Sequence, residues 1–84
     1  MERQEKRQRR IQWRCRRGAK ELDLILSAFV AAHYDSLSAA ERRRFDRLLD
    51  CADPQLADYL CHGVAPPDHE TAVLVERIRA AHRG

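Results

Sequence analysis

Apolar residues in this chain recur at helical spacing. Between Lys20 and His33, the residues Leu22, Ile25, Leu26, Phe29 and Val30 fall on one stripe, three or four positions apart. Leu24, Ala28, Ala31 and Ala32 make the opposite side apolar as well. The pattern therefore predicts a central helix over residues 20–33, buried on most of its sides. Phe45, Leu48 and Leu49 mark the inner face of a further helix, and Leu56, Tyr59 and Leu60 that of another. Thr71, Leu74, Val75, Ile78 and Ala81 line a last one. Ahead of the central helix, Ile11 and Cys15 stand four apart and can share a face, predicting a short first helix over about residues 7–17. No segment alternates with a two-residue period between turn signals. The expected fold is all-α, a small single-domain antiparallel bundle of five short helices.

Cap residues set the expected boundaries. Gly18, one of three glycines, can take a left-handed conformation and close the first helix just after Arg17. Arg16 and Arg17 would then sit at that helix's negative end, with Glu21 in the favourable first turn of the next. His33 to Leu37 forms the next connection, and Ser38-Ala39-Ala40-Glu41 reads as a capping box opening a helix that runs to about Asp50. Asp53-Pro54 supplies an aspartate cap and a proline at the first helical position. Gly63 ends that helix, Val64 to Pro67 is a stiff link, and Asp68 can cap the last helix.

Charge divides the chain unevenly. Residues 1–20 hold nine Arg or Lys against two Glu, whereas residues 21–84 hold seven against eleven acidic residues. Residues 1–10 carry nothing apolar after Met1, so residues 1–8 are expected to be a flexible basic arm ahead of a domain over 9–84. Arg42, Arg43, Arg44 and Arg47 read as a mostly solvated helix face. No apolar run is long enough to span a bilayer, and no signal-peptide pattern follows the charged N-terminus, so the cytoplasm is the expected compartment. Cys15, Cys51 and Cys61 are an odd set without disulfide or zinc-ribbon spacing and are expected as small buried thiols. Cys51, Cys61, His62 and His69 fit no common metal-ligand pattern, so no metal is expected.

Catalytic chemistry is not apparent. Ser36 and Ser38 are explained as turn and cap, and His33 and His62 stand at helix boundaries. There is no glycine-rich phosphate loop, and a bundle this small has little room for a closed pocket, so an enzyme is not expected. Two binding readings stand level on composition. The basic arm with Trp13 could neutralise nucleic-acid phosphates. Equally, Arg, Trp and a flat glycine corner are typical anchors of a protein interface.

The segment Trp13-Arg14-Cys15-Arg16-Arg17-Gly18-Ala19-Lys20-Glu21-Leu22-Asp23 resembles the signature of the succinate dehydrogenase (FAD) assembly factors, whose hallmark is Arg-Gly-any-any-Glu. The likeness continues through Phe29, Tyr34 to Ser38, Glu41, Phe45, Leu48-Leu49, Asp53-Pro54, Leu56, Leu60 and Gly63, and covers about residues 11–80. Two positions depart from it: Ala19 stands where a larger apolar residue is frequent, and Tyr59 where Trp is frequent. The resemblance implies a five-helix bundle that binds the flavoprotein subunit of succinate dehydrogenase, and in some members fumarate reductase, and promotes covalent attachment of FAD to a histidine there. It implies no cofactor of the chain's own, since FAD belongs to the partner. The free chain is expected to be a monomer without a membrane partner, and nucleic-acid binding through the basic arm is the alternative to the flavoprotein. The expected partner-binding residues are Arg17, Gly18 and Glu21, extended by Trp13 and Arg14 and bordered by Tyr34 and Asp35. Arg17 would bond partner carboxylates or carbonyls, and Glu21 would orient Arg17 or meet a partner cation. For Tyr34 and Asp35, an aromatic edge contact and a turn cap explain the residues equally well.

Overall fold

A computed structural model describes residues 2–83, and all its regular elements are helical. They are α1 (Glu2–Arg14), α2 (Lys20–His33), α3 (Ala39–Leu49), α4 (Asp53–Leu60) and α5 (His69–Arg83), with a 3₁₀ turn at Tyr34–Ser36 between α2 and α3. Helix α2 has the predicted bounds and sits centrally: it packs most extensively on α5 and also meets α1 and α4. Its stripe Leu22, Ile25, Leu26, Phe29 and Val30 is buried. Phe29 and Phe45 pack with ring centroids 5.5 Å apart, and Tyr34 meets Phe45 edge-on at 5.9 Å. Cys15, Leu56 and Ile78 are wholly buried among them.

Three caps follow their sequence. Ser38 and Glu41 form the capping box, with the Ser38 Oγ accepting from the Glu41 amide at 3.1 Å and the Glu41 Oε1 accepting from the Ser38 amide at 2.8 Å. The Asp68 carboxylate accepts from the amide and hydroxyl of Thr71 at 2.9 and 2.7 Å. Gly63 is left-handed, with φ +74°, and past it the Val64 amide turns back onto the Asp58 carbonyl.

Several expectations are corrected. Helix α1 starts at Glu2 and ends at Arg14 instead of spanning 7–17, because Arg, Gln, Glu and Lys are good helix formers and an exposed helix needs no apolar face at every turn. Residues 2–8, set apart above as an arm, are thus the first turns of that helix. Gly18 is left-handed as expected, with φ +82°, but lies four residues beyond the helix, in a linker. The far side of α2 is not covered: Leu24 is 55% exposed, and Ala31 and Ala32 are exposed beside it. Asp53 opens α4 as its first helical residue, with Ala52 at the cap position and no side-chain cap bond. The Asp53 carboxylate is used elsewhere. The thiols also divide, Cys15 being buried and Cys51 and Cys61 half-buried.

Candidate functional site

The linker from Cys15 to Ala19 joins α1 to α2, and its shape is fixed from behind by charge. The last turn of α1 tightens, with the Cys15 amide shared between the carbonyls of Ile11 and Gln12 and the Arg16 amide bonded to the Trp13 carbonyl. The Arg17 amide then donates to the Asp23 carboxylate at 2.7 Å, pinning the linker to the first turn of α2.

The Arg17 guanidinium turns inward. Its Nε donates to Asp53 at 2.6 Å, and its two terminal nitrogens donate to the carbonyls of Leu49 (2.8 Å) and Cys51 (2.6 Å). A planar fork thus closes the C-terminal end of α3 and ties it to the start of α4. The expected favourable place for Arg17 at a helix C-terminus is real, but the helix is α3, not the one that precedes it in sequence. Its side chain is only 16% exposed, and all three nitrogens are engaged within the chain. Arg14 works alongside it, bonding the Asp46 carbonyl at 3.1 Å and the Asp50 carboxylate at 2.7 Å. Two arginines of one linker region therefore staple the α1–α2 junction to the α3–α4 junction.

The outer surface of the same linker is open. A Cβ placed on Gly18 would meet no atom of the described residues within 4 Å, so none of them requires glycine there; the positive φ does. Trp13 is 69% exposed, and the Arg16 guanidinium lies over its ring at 5.2 Å. Lys20 and Glu21 are exposed at the start of α2, and Leu24 follows one turn later on that helix. Glu21 makes no hydrogen bond or ion pair among the described residues, so it does not orient Arg17; Asp23 and Asp53 hold the Arg17 amide and guanidinium instead. Glu21 lies near enough to Cys61 to add to burial in raising that thiol's pKa.

The remaining sequence candidates divide. Tyr34 is buried with its ring against Phe45, so the packing alternative describes it, whereas Asp35 is exposed and offers its backbone carbonyl to Arg42. Arg16, Lys20 and Leu24 also belong to the exposed corner, beyond the residues that the sequence nominates. Nothing in the sequence marks Leu24, since an apolar residue on an apolar helix gives no sign of facing outward.

Groups that could do chemistry are dispersed or occupied. The Ser36 hydroxyl donates to the His33 carbonyl at 2.8 Å, and His62 stands 3.1 Å from Asp58 on the surface. Burial pushes the Cys15 thiol up to about 12, well away from a reactive thiolate. Among the described residues, no three His, Cys, Asp or Glu side chains converge to hold a metal. Among the described residues, no helix is long and apolar enough to cross a membrane.

Comparison with known proteins agrees with the motif at this corner. Residues 9–82 match the family described as the flavinator of succinate dehydrogenase. The chain is 42% identical over 74 residues to the FAD assembly factor SdhE of Yersinia pseudotuberculosis, covering 88% of this chain and 84% of that protein. It is 44% identical over 70 residues to SdhE of Photorhabdus laumondii (83% and 80% covered) and 39% identical over 72 residues to SdhE of Haemophilus ducreyi (86% and 88% covered). With the match running from α1 to α5 and the Arg17-Gly18 to Glu21 motif at the α1–α2 junction, the chain belongs to the succinate dehydrogenase flavinator (FAD assembly factor) family.

Proposed function

We propose that this chain binds the flavoprotein subunit of succinate dehydrogenase through the Gly18 corner and promotes covalent attachment of FAD to it. The observation that carries the proposal is the combination at one bend. Arg17 and Arg14 fix the linker from within, while Gly18, Trp13, Arg16, Lys20 and Glu21 stay exposed. A bend with no side chain lets a partner's backbone approach closely, and Trp and Arg are the residue types that anchor interfaces. The exposed Leu24 extends this surface onto α2. Rigid positioning lowers the ordering cost of association.

The assembly factor is non-catalytic in this reading. Bond formation belongs to the flavin and its host protein, and FAD is the partner's cofactor rather than this chain's. The factor acts by binding more tightly to the flavoprotein arrangement in which flavin and acceptor side chain are aligned, because only such a difference shifts the population. Fumarate reductase flavoprotein is a second candidate partner, the free chain is a monomer, and the cytoplasm is the place of action.

The test is capture of the flavoprotein from native lysate by the tagged chain, with in-gel flavin fluorescence of the captured subunit. The wild type should retrieve it and restore covalent flavin in a strain lacking the factor. Gly18→Glu should do neither while remaining helical. Normal flavinylation by that variant would remove the corner from the mechanism.

A further inference from the structure

On another face, α1 and α3 enclose a groove of about 580 Å³. Among the described side chains six cations line it: Lys6, Arg7, Arg10 and Arg14 from α1, and Arg42 and Arg43 from α3. Asp46 is the one carboxylate among those described in the lining, and it already pairs with Arg14 at 3.4 Å. Arg42 is occupied too, donating to the Tyr34 and Asp35 carbonyls and lying 5.7 Å over the Tyr34 ring. Lys6, Arg7, Arg10 and Arg43 make no hydrogen bond or ion pair with the side chains described from residue 6 onward. On α1 these cations stand three or four apart, where like charges repel. The groove therefore holds uncompensated positive charge that a bound anion would relieve.

We infer that this groove is a binding site for an oligophosphate chain, the chemistry shared by inorganic tripolyphosphate and the phosphate tail of a nucleoside triphosphate. Charge density selects this class. Lys6 to Arg14 spans about 12 Å of helix. An extended acidic peptide turns a carboxylate toward a surface only every second residue, about every 7 Å, and would supply two charges over that length. Linked phosphates carry at least one charge each at much closer intervals. Guanidinium forks also match phosphate oxygens in pairs. A nucleic-acid strand is less suited, because bases need exposed aromatic platforms. Tyr34, the only aromatic in the lining, is buried, and Trp13 lies outside the groove.

The test is titration calorimetry on the full chain at low ionic strength, with tripolyphosphate, ATP, orthophosphate and hexaglutamate as separate probes. Tripolyphosphate should bind at least about tenfold tighter than orthophosphate, and its affinity should fall steeply with salt. Arg7→Gln combined with Arg43→Gln should weaken it about tenfold or more, while Arg47→Gln, on α3 but outside the groove, should not. ATP bound as tightly as tripolyphosphate would show that the phosphate chain alone is read; ATP bound tighter would add a nucleoside contact to the same site. Tripolyphosphate held no better than orthophosphate, an unchanged affinity in the double variant, or hexaglutamate bound more tightly would each overturn the inference. The folded state of the double variant is checked by its melting curve, and Arg10→Gln serves as an independent variant if that curve is altered.

Discussion

Replacing Arg17 by Gln separates a structural staple from a partner contact. The substitution removes the ion pair to Asp53 and the donors that cover the Leu49 and Cys51 carbonyls. Hydrogen bonds from a charged donor contribute about 1.5–3 kcal/mol each when well sheltered. Asp53 is 44% exposed, so the ion pair itself is discounted to below about 1 kcal/mol. Water can reach the end of α3 once the side chain is shortened, which lowers the cost of the freed carbonyls. A net loss of about 2–3 kcal/mol results, and for a domain of this size that corresponds to a fall in Tm of about 10–20 °C. Arg17→Lys should recover only part of it, since an ammonium cannot reproduce a planar fork reaching three acceptors. The assay is urea and thermal unfolding followed by far-ultraviolet circular dichroism, with Asp53→Asn completing a double-mutant cycle whose coupling should stay below about 1 kcal/mol. Flavoprotein capture is then measured at a temperature where each variant is folded, and should fall no further than the lost stability and order of the corner account for. A variant that melts with the wild type yet captures no flavoprotein would refute the reasoning, because the guanidinium would then be serving the partner.

Other outcomes follow from the same geometry. Gly18→Ala should cost about 1–2 kcal/mol because φ is +82°, whereas Gly18→Asn, which tolerates that conformation, should melt closer to the wild type and still weaken capture; full capture by the Asn variant would show that close backbone approach is not needed. Leu24→Glu should leave stability nearly unchanged and reduce capture, and an unaffected affinity would place the interface elsewhere. Iodoacetamide near pH 8 should label Cys51 and Cys61 before Cys15, which should react only on unfolding; rapid labelling of Cys15 in the native protein would contradict its burial. The Glu41 and Asp68 carboxyls are held below their usual values, Glu41 chiefly by the Ser38 amide and Asp68 chiefly by Thr71. Their folded values are lowered, so their stabilisation is present above pH 4.5 and 3.8 and is lost as pH falls through the lowered values. Replacing both by amides should flatten that acid limb of the stability curve.

Local features of the fold were legible because local rules produced them. The buried stripe of α2, the Ser38–Glu41 box, the Asp68 cap and the left-handed Gly63 each depend on residues a few positions apart. The errors arose where distance along the chain mattered. Asp53 looked like an N-cap because aspartate before proline usually is one. It sits one residue inside α4 because its carboxylate meets a guanidinium 36 positions away. Helix α2 looked enclosed because its composition is apolar all round, but four partner helices are too few to cover every side in so short a chain.

The same limit explains what the motif conveyed and what it hid. Arg17, Gly18 and Glu21 are close in sequence, which invites a single shared role at one surface. The structure assigns them opposite directions. Arg17 reaches into the body and binds the ends of α3 and α4, while Gly18 and Glu21 face solvent. A bend carrying a positive φ and little apolar cover would otherwise be among the first parts of a small domain to open locally. Anchoring by Arg17 and Arg14 keeps it in one shape without filling the space in front of it. Loss of function on changing Arg17 therefore does not by itself locate the interface: a partner that needs the corner preformed will respond to the staple as strongly as to the surface. Only variants that alter the surface and spare the staple, at Trp13, Glu21 or Leu24, can map where the partner lies.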